Sequence, residues 1–509
     1  MSEASQALQN IARGTGIVFA GTVISMFFGF LSRGVIARYF STSEYGVFNL
    51  ALTILSITLV LATLGFPNSL PREVAFYREK EPSRVRDLIS TAVVIVAVNS
   101  FAIMMFLIFG SGFIAQVFNE ERLVYPLKVM AFALPFSALI GAIISISQGF
   151  GRVREKVYFQ NVVYPVIWLV FVVLLALLSL PFASLFWAYV IAQFLTFLTL
   201  ILETYRIGLF RFRPSLDVGL GRKLVAFSFP LMFVGILNFL MTWTDTLMLG
   251  YYKGSEVVGL YNAATPLARL IPMFLNSAAV IYSPIVTSWY AQEKMAEMKR
   301  VYQVLTKWIF LLTLPLFALI FLFPEATISF LFGEKYVSAA LALQVLSLGF
   351  MFHTFLGLNG MTLIVIGKPK LNMIGDTFAV VSNVALNLAL IPSYGMVGAA
   401  VATTVSYFVA NVFRSYWLYK MTRIHPFSWS YVKPLAIWFV LLGIIKGLNL
   451  SVPDIWYAIL ALLVFMGVYA VLVLLSRSID KEDIELLLAV EKILGVDFGI
   501  IKRVLKRFV

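Results

Sequence analysis

The chain has 509 residues, 61% of them hydrophobic and only 13% charged, with a mean hydropathy of +0.93. A soluble domain is nearer half apolar and a quarter charged, so this much apolar surface requires an integral membrane protein. The net charge of +14 is read as Lys and Arg retained on the cytoplasmic side rather than as a nucleic-acid surface, and the absence of cysteine excludes disulfides and thiolate chemistry.

The opening stretch, "MSEASQALQNIARGTGIVFAGTVISMFF", is a polar head followed by an apolar run that continues to about Phe40. With no small-residue cleavage site it reads as a retained first span rather than a cleaved signal peptide. Runs of about 20 apolar residues can cross the hydrocarbon core as helices. Breaking the chain at charged and Pro/Gly-rich points predicts fourteen: 15–39, 46–68, 88–110, 125–148, 158–180, 183–205, 226–250, 258–283, 305–323, 338–366, 371–391, 396–418, 433–449 and 455–476. Run length favours helices over the short alternating strands of a barrel.

With the N-terminus inside, the segments between spans 2 and 3 (Arg72, Arg78, Lys80, Arg84, Arg86) and between spans 6 and 7 fall on the cytoplasmic side. The outer turns then hold only Arg38, Arg122, Lys128, Lys253, Lys335 and Lys446. Both termini are therefore expected in the cytoplasm and the protein in the plasma membrane. The short loops leave no room for a soluble catalytic domain. A Gly-x-x-x-x-Gly-Lys-Ser/Thr phosphate loop is absent, and His353 and His425 form no metal spacing.

The turn after span 1, "YFSTSEYGVFNLA" (39–51), returns after span 7 as "YYKGSEVVGLYNAA" (251–264). Tyr39/Tyr251, Ser43/Ser255 and Glu44/Glu256 agree at an offset of 212 residues. Gly46/Gly259, Asn49/Asn262, Ala51/Ala264, Pro71/Pro284 and Tyr77/Tyr290 agree at 213, after a one-residue gap. "GRVREK" (151–156) and "GKPKLN" (367–372) then hold equivalent places. Helices 1–6 are thus expected to be repeated by helices 7–12. The expected divisions are an N-terminal lobe 1–223, a C-terminal lobe 224–424, two extra helices in 425–478 and a basic amphipathic tail 479–509 on anionic headgroups. Six helices per repeat keep the two halves parallel, a transporter plan with its site between lobes near the midplane.

Charges within spans are costly and usually face a wet cavity or a partner. The clearest are Arg33 in span 1, Asp245 in span 7 and Arg269 in span 8; at the offset of 212, Arg33 falls opposite Asp245. One reading is an ion pair, or side chains snorkelling outward. The favoured one is a cationic cavity site of Arg33 and Arg269 with Asp245 as counter-charge, because the guanidinium fork suits phosphate. Asp376, near the inner end of span 11, is a candidate for coupling to a cation gradient, or a local cap. His353 reads as a packed, hydrogen-bonded histidine, and Glu203 and Arg414 as snorkelling residues. Asn49, Asn161, Asn262, Asn383, Asn387 and Gln148 read as interhelical glue, and Pro67, Pro230, Pro266 and Pro272 as kinks.

"SRGVIARYFSTSEYGVFNLALTI" (32–54), "LGFPNSLPREVAFY" (64–77) and above all "NVALNLALIPSYGMVGAAVATTVSY" (383–407) resemble the polysaccharide transporters, or Wzx-type flippases, of the multidrug/oligosaccharidyl-lipid/polysaccharide exporter superfamily. The resemblance covers essentially the whole chain. It implies an all-α membrane fold of two six-helix lobes in a V around a cavity, plus two C-terminal helices. The implied cargo is a polyprenyl- or dolichyl-(pyro)phosphate oligosaccharide moved from the inner to the outer leaflet by alternating access, with membrane lipids and glycan-assembly enzymes as partners. Related lipid II flippases use cavity arginines, which Arg33 and Arg269 match by position. They also carry a lipid-facing groove in two added helices, matched by spans 13–14. No cofactor is implied, and coupling to a proton or sodium gradient is left open. A cation-coupled multidrug exporter on the same fold, and a membrane glycosyltransferase or polymerase, are the alternatives.

Overall fold

The computed structural model describes residues 3–208, 216–447, 454–476 and 478, and every regular element among them is helical. Among these residues ten segments are long and apolar enough to cross a membrane, eleven if one bent pair counts as a single span. The expected tail helix in 479–509 lies outside the described residues.

The first unbroken helices follow the apolar runs: α1 (Glu3–Tyr39) and α2 (Thr42–Thr63). A capping box starts α2: Glu44 N–H donates to Ser41 Oγ at 3.2 Å, and Ser41 N–H donates to the Glu44 carboxylate at 2.9 Å. A cap of this kind contributes about 1 kcal/mol. Helix α3 (Phe66–Lys80) follows a left-handed turn at Leu64 and Gly65. At Gly65 (φ 77) a Cβ would lie 2.5 Å from the Ser228 carbonyl oxygen, so only glycine admits the neighbouring helix there. Helix α4 (Val85–Val117) precedes α5 (Val124–Ala131) and α6 (Ala133–Gly149), which bend by 47° and together fill the expected span 125–148. A π-helical stretch, Lys156–Val163, runs into α7 (Tyr164–Leu177), and α8 (Ala183–Arg206) follows.

Helix α9 (Val218–Lys253) is capped by Asp217, whose Oδ1 accepts the Leu220 N–H at 3.0 Å. The expected span 258–283 is instead split into α10 (Ser255–Ala268) and α11 (Met273–Ala291). Pro266 and Pro272 flank the break, and neither has an N–H with which to continue a helix. Next come α12 (Met295–Leu322), α13 (Pro324–Phe332), α14 (Ala340–Phe355) and α15 (Asn359–Val365). The expected span 338–366 thus breaks between α14 and α15 at Gly357 (φ 75), where a Cβ would strike the Thr306 side chain.

Helix α16 (Pro369–Thr422) contains a non-helical residue, Gly395 (φ 55, ψ −132). The chain folds back there: Phe378 and Phe413 bring their ring centroids within 5.1 Å, and a Cβ on Gly398 would sit 2.6 Å from the Leu390 carbonyl oxygen. The two legs are antiparallel and correspond to the runs expected at 371–391 and 396–418. The shorter α17 (Trp429–Gly447) and the strongly apolar α18 (Ile455–Leu475) complete the described chain.

The chain divides into two compact units, Met1–Ala263 with Asn383–Ala399, and Ala264–Ser382 with Ala400–Val509. In the first, Phe66, Leu70, Leu88, Ala92, Ala138 and Leu224 pack α3, α4, α6 and α9 together. In the second, Tyr282, Tyr302, Ile309, Leu358 and Leu418 do so for α11, α12, α15 and α16. Within the first unit the two repeated stretches touch each other. A Cβ on Gly46 would lie 1.7 Å from the Ser255 carbonyl oxygen, and one on Gly259 would lie 2.1 Å from that of Thr42. Thr42 and Ser255 are the first residues of α2 and α10, 213 apart. The contact is therefore reciprocal, and α2 and α10 are in register at an offset of 213 from their first residues, so that Ser43/Ser255 and Glu44/Glu256, matched at 212, stand one residue out of register in the structure. The extra residue of the second copy falls in the turn before α10, which leaves Arg33 aligned with Asp245.

Candidate functional site

The expected site residues fall in both units: Arg33 and Asp245 in the first, Arg269 and Asp376 in the second. Arg33 lies one turn and a half before the end of α1 and is half-buried. Tyr45 on α2 and Tyr164 on α7 lie within electrostatic reach of its charge. Gln193 Nε2 donates to Tyr189 Oη at 3.4 Å, and Trp168 stacks on Phe48 with centroids 5.9 Å apart. Among the described residues Arg33 forms no ion pair. The phenols within its electrostatic reach are neutral, and such groups stabilise a cation less than a carboxylate does.

Asp245 is not within ion-pair distance of Arg33. Its carboxylate is instead held by neutral donors from two other helices. Tyr261 Oη on α10 donates to Oδ2 at 2.5 Å; on α16, Asn383 Nδ2 and Asn387 Nδ2 donate to Oδ1 at 3.1 and 2.7 Å. Asn387 also donates to Asn383 Oδ1 at 3.0 Å, while its own Oδ1, fully buried, has no hydrogen-bond partner among the described residues. Hydrogen bonds to a charged acceptor are worth about 1.5–3 kcal/mol each, enough together to offset the roughly 2.5–3.5 kcal/mol of placing a carboxylate in a span. The two Asp245 oxygens, the amide oxygens of Asn383 and Asn387, and the Tyr261 hydroxyl form an all-oxygen group. Rotation of an amide turns a donor into an acceptor, and such a set suits a proton or a hard cation.

Arg269 follows the last residue of α10, in the break before α11, and its N–H donates to the Thr265 carbonyl at 3.0 Å. It is half-buried, and it sits at an interrupted helix end rather than in the middle of a continuous span. Interrupted helices at membrane depth expose backbone polar groups and are tolerated where protein or a wet cavity receives them. Asp376 accepts from the Arg414 guanidinium on the opposite leg of α16, and from Asn372 Nδ2 at 3.2 Å. The expectation that Arg414 snorkels is corrected: it is 7% exposed, and Gly375 makes room for its Nε, since a Cβ there would come within 2.9 Å. Fold-back at Gly395 aligns positions 376 and 414, so the buried cation is met by a carboxylate and has no need to reach the headgroups.

His353 packs inside the second unit, with Nδ1 3.0 Å from Asn411 Oδ1 and its ring against Tyr407. Asn49 and Asn262 each donate to the carbonyl four residues earlier, Tyr45 and Val258, at 2.7 and 3.0 Å. They are equivalent positions of the repeat with equivalent bonds. Tyr261, Asn383 and Asn387 were the residues missed as ligands of Asp245. Two signals carried them. Asn383 and Asn387 are four apart on one helix face, and Tyr261 stands where the first copy has Phe48, adding a hydroxyl to the copy that carries the aspartate.

Residues 11–289 match the family model described as "Polysaccharide biosynthesis protein", and residues 230–389 match the model described as "MatE". The chain is 32% identical over 212 residues to the uncharacterized membrane protein MJ1068 of Methanocaldococcus jannaschii, a match covering 40% of this chain and 41% of that protein. It is 23% identical over 438 residues to the probable low-salt glycan biosynthesis flippase Agl15 of Haloferax volcanii, covering 85% of this chain and 90% of that protein. Among solved structures it resembles the lipid II flippase MurJ in an inward closed conformation. The TM-score is 0.71 at 15% identity, over 91% of this chain and 98% of that one, a likeness of fold.

Proposed function

The chain belongs to the polysaccharide biosynthesis protein family, multi-pass membrane transporters of the Wzx type rather than enzymes, and from that premise we propose that it flips a polyisoprenyl-(pyro)phosphate-linked oligosaccharide from the inner to the outer leaflet. The observation that carries this reading is Arg33, a cation within a span that has no ion-pair partner among the described residues and has the Tyr45 and Tyr164 phenols within electrostatic reach. A phosphate headgroup supplies the missing countercharge, and phenols and amides are natural neighbours for sugar hydroxyls. Arg269, at the broken end of α10, is the second headgroup ligand in this proposal. The nearly full-length likeness to a probable glycan flippase supports the same cargo class.

In this proposal the chain has fourteen spans, two repeats of six and two added helices, with both termini in the cytoplasm of a plasma-membrane protein. The polyisoprenyl tail stays in lipid beside α17 and α18. Coupling is assigned to Asp245, whose oxygen-rich surroundings can exchange a proton or sodium ion. Asp376 is committed to Arg414. The MatE match over 230–389 favours a second reading, a cation-coupled multidrug exporter, but Arg33 repels cationic drugs.

Liposomes holding a polyisoprenyl-pyrophosphate oligosaccharide test the proposal. Arg33→Ala is expected to slow flipping by about 10- to 100-fold, the loss of one charge-assisted contact, at unchanged membrane abundance. Arg33→Lys should recover part of it, because an ammonium lacks the planar fork. Undiminished flipping by Arg33→Ala removes the headgroup assignment. Export of cationic dyes without any glycan flipping would establish the second reading instead.

A further inference from the structure

The repeated turns meet at a polar knot made by a third segment. Arg122, in the turn between α4 and α5, binds Glu120 through Nε and Nη2, both at 2.7 Å. The same Nη2 donates to Ser43 Oγ at 2.7 Å and to Ser255 Oγ at 3.0 Å. The two serine hydroxyls are 3.0 Å apart, and Ser255 Oγ donates to Glu120 Oε2 at 2.5 Å. Ser43 lies in the first turn of α2 and Ser255 opens α10, so one guanidinium ties together the helix starts that the duplication made equivalent.

We propose that the Glu120–Arg122 turn is a latch holding α2 and α10 together at one membrane face, and that its release is an obligatory step of transport. Beneath it the helices cross at Gly46 and Gly259, backbone against backbone, and Tyr45 Oη on α2 donates to the Asn262 carbonyl on α10 at 3.4 Å. Two features distinguish a latch from permanent packing. The α2 cap uses Ser41 and Glu44, not Ser43, so opening leaves that helix start satisfied. The Arg122 side chain is half-exposed, at 54%, so water can replace its bonds as they break. Lys253 Nζ donates to the Pro392 carbonyl at 2.7 Å, which ties the α16 fold-back to the end of α9 just before Ser255. That turn is expected to move with α10. The latch rests on the proposed transport cycle, and the orientation with cytoplasmic termini puts it on the outer face.

The chain has no cysteine, so paired substitutions test this against a silent background. Hydroxyls 3.0 Å apart place the Cβ atoms near the span a disulfide requires. In proteoliposomes with a polyisoprenyl-pyrophosphate oligosaccharide, Ser43→Cys/Ser255→Cys is expected to flip normally when reduced, to lose at least about 10-fold on oxidation, and to recover with reductant. A cross-linked protein that flips at the reduced rate overturns the proposal. A second arm needs no substrate: in Ser43→Cys, adding Arg122→Ala should raise the rate of modification by a membrane-impermeant maleimide several-fold. An unchanged rate overturns the latch. The reagent's side of action reports orientation separately, and failure of the reduced parent to flip the glycan counts against the cargo reading, leaving the maleimide arm to decide the latch.

Discussion

Two carboxylates lie in apolar helices of this chain and are stabilised in opposite ways. Asp376 meets an arginine, and the pair is neutral as a whole. The donors to Asp245 include a phenol and two amides, neutral groups that solvate a negative charge. An ion pair fixes two helix legs. A carboxylate bonded by neutral donors can still exchange a proton or cation with them in place, which is what a coupling site requires. Carboxylates within apolar helices thus yield a structural element in one place and a candidate functional one in the other.

The largest expected effect tests the structural half. Asp376→Ala leaves Arg414 buried and unpaired, at a cost of about 3–5 kcal/mol, seen as lost membrane yield and a lowered melting temperature in detergent. Asp376→Leu/Arg414→Met should recover most of that stability, because an apolar pair of similar volume is close to neutral. A single variant that melts like the parent breaks the comparison.

The functional half predicts a different outcome for Asp245→Asn: melting close to the parent, but flipping that no longer responds to an imposed proton or sodium gradient, roughly 10-fold below the parent when the gradient is present. Retained gradient dependence, measured in the same liposomes, would reassign coupling elsewhere.

A third carboxylate, outside the spans, sharpens the contrast with a smaller effect. Partial burial pushes Glu120 up, but bonds from Arg122 and Ser255 outweigh it and hold its pKa below the ordinary 4.5. The charged groups facing the knot are Arg122 and, through it, Glu44. Since the folded value is depressed, the unfolded chain binds more protons as pH falls. The stabilisation is complete above the ordinary carboxylate range and is lost on acidification through it. Melting temperature followed from neutrality into that range should fall more for the parent than for Glu120→Gln; equal slopes would remove Glu120 from the account.

Local patterns exposed much of this protein in advance. Arg33 and Asp245 could be picked out because a charge inside an apolar run is costly wherever its partner lies. The Gly46/Gly259 and Asn49/Asn262 matches picked out two helix starts with equivalent contacts, because a close backbone crossing and a matching side-chain bond call for the same residues. The breaks at Arg269 and Gly357 were hidden, since the hydropathy of 258–283 and 338–366 is continuous, and a proline or glycine within such a run does not announce whether it kinks the helix or ends it.

Composition and hydropathy by themselves determined a multi-helix membrane protein, because apolar run length is a property of neighbouring residues. Only the tertiary structure decided that Asp376 belongs to Arg414, that Asp245 belongs to Tyr261, Asn383 and Asn387 and not to Arg33, and that the repeated turns are bound by Arg122. Those pairings join residues 16 to 142 positions apart, and they are set by which helix faces pack together once the chain has folded back on itself, a choice no single stretch encodes.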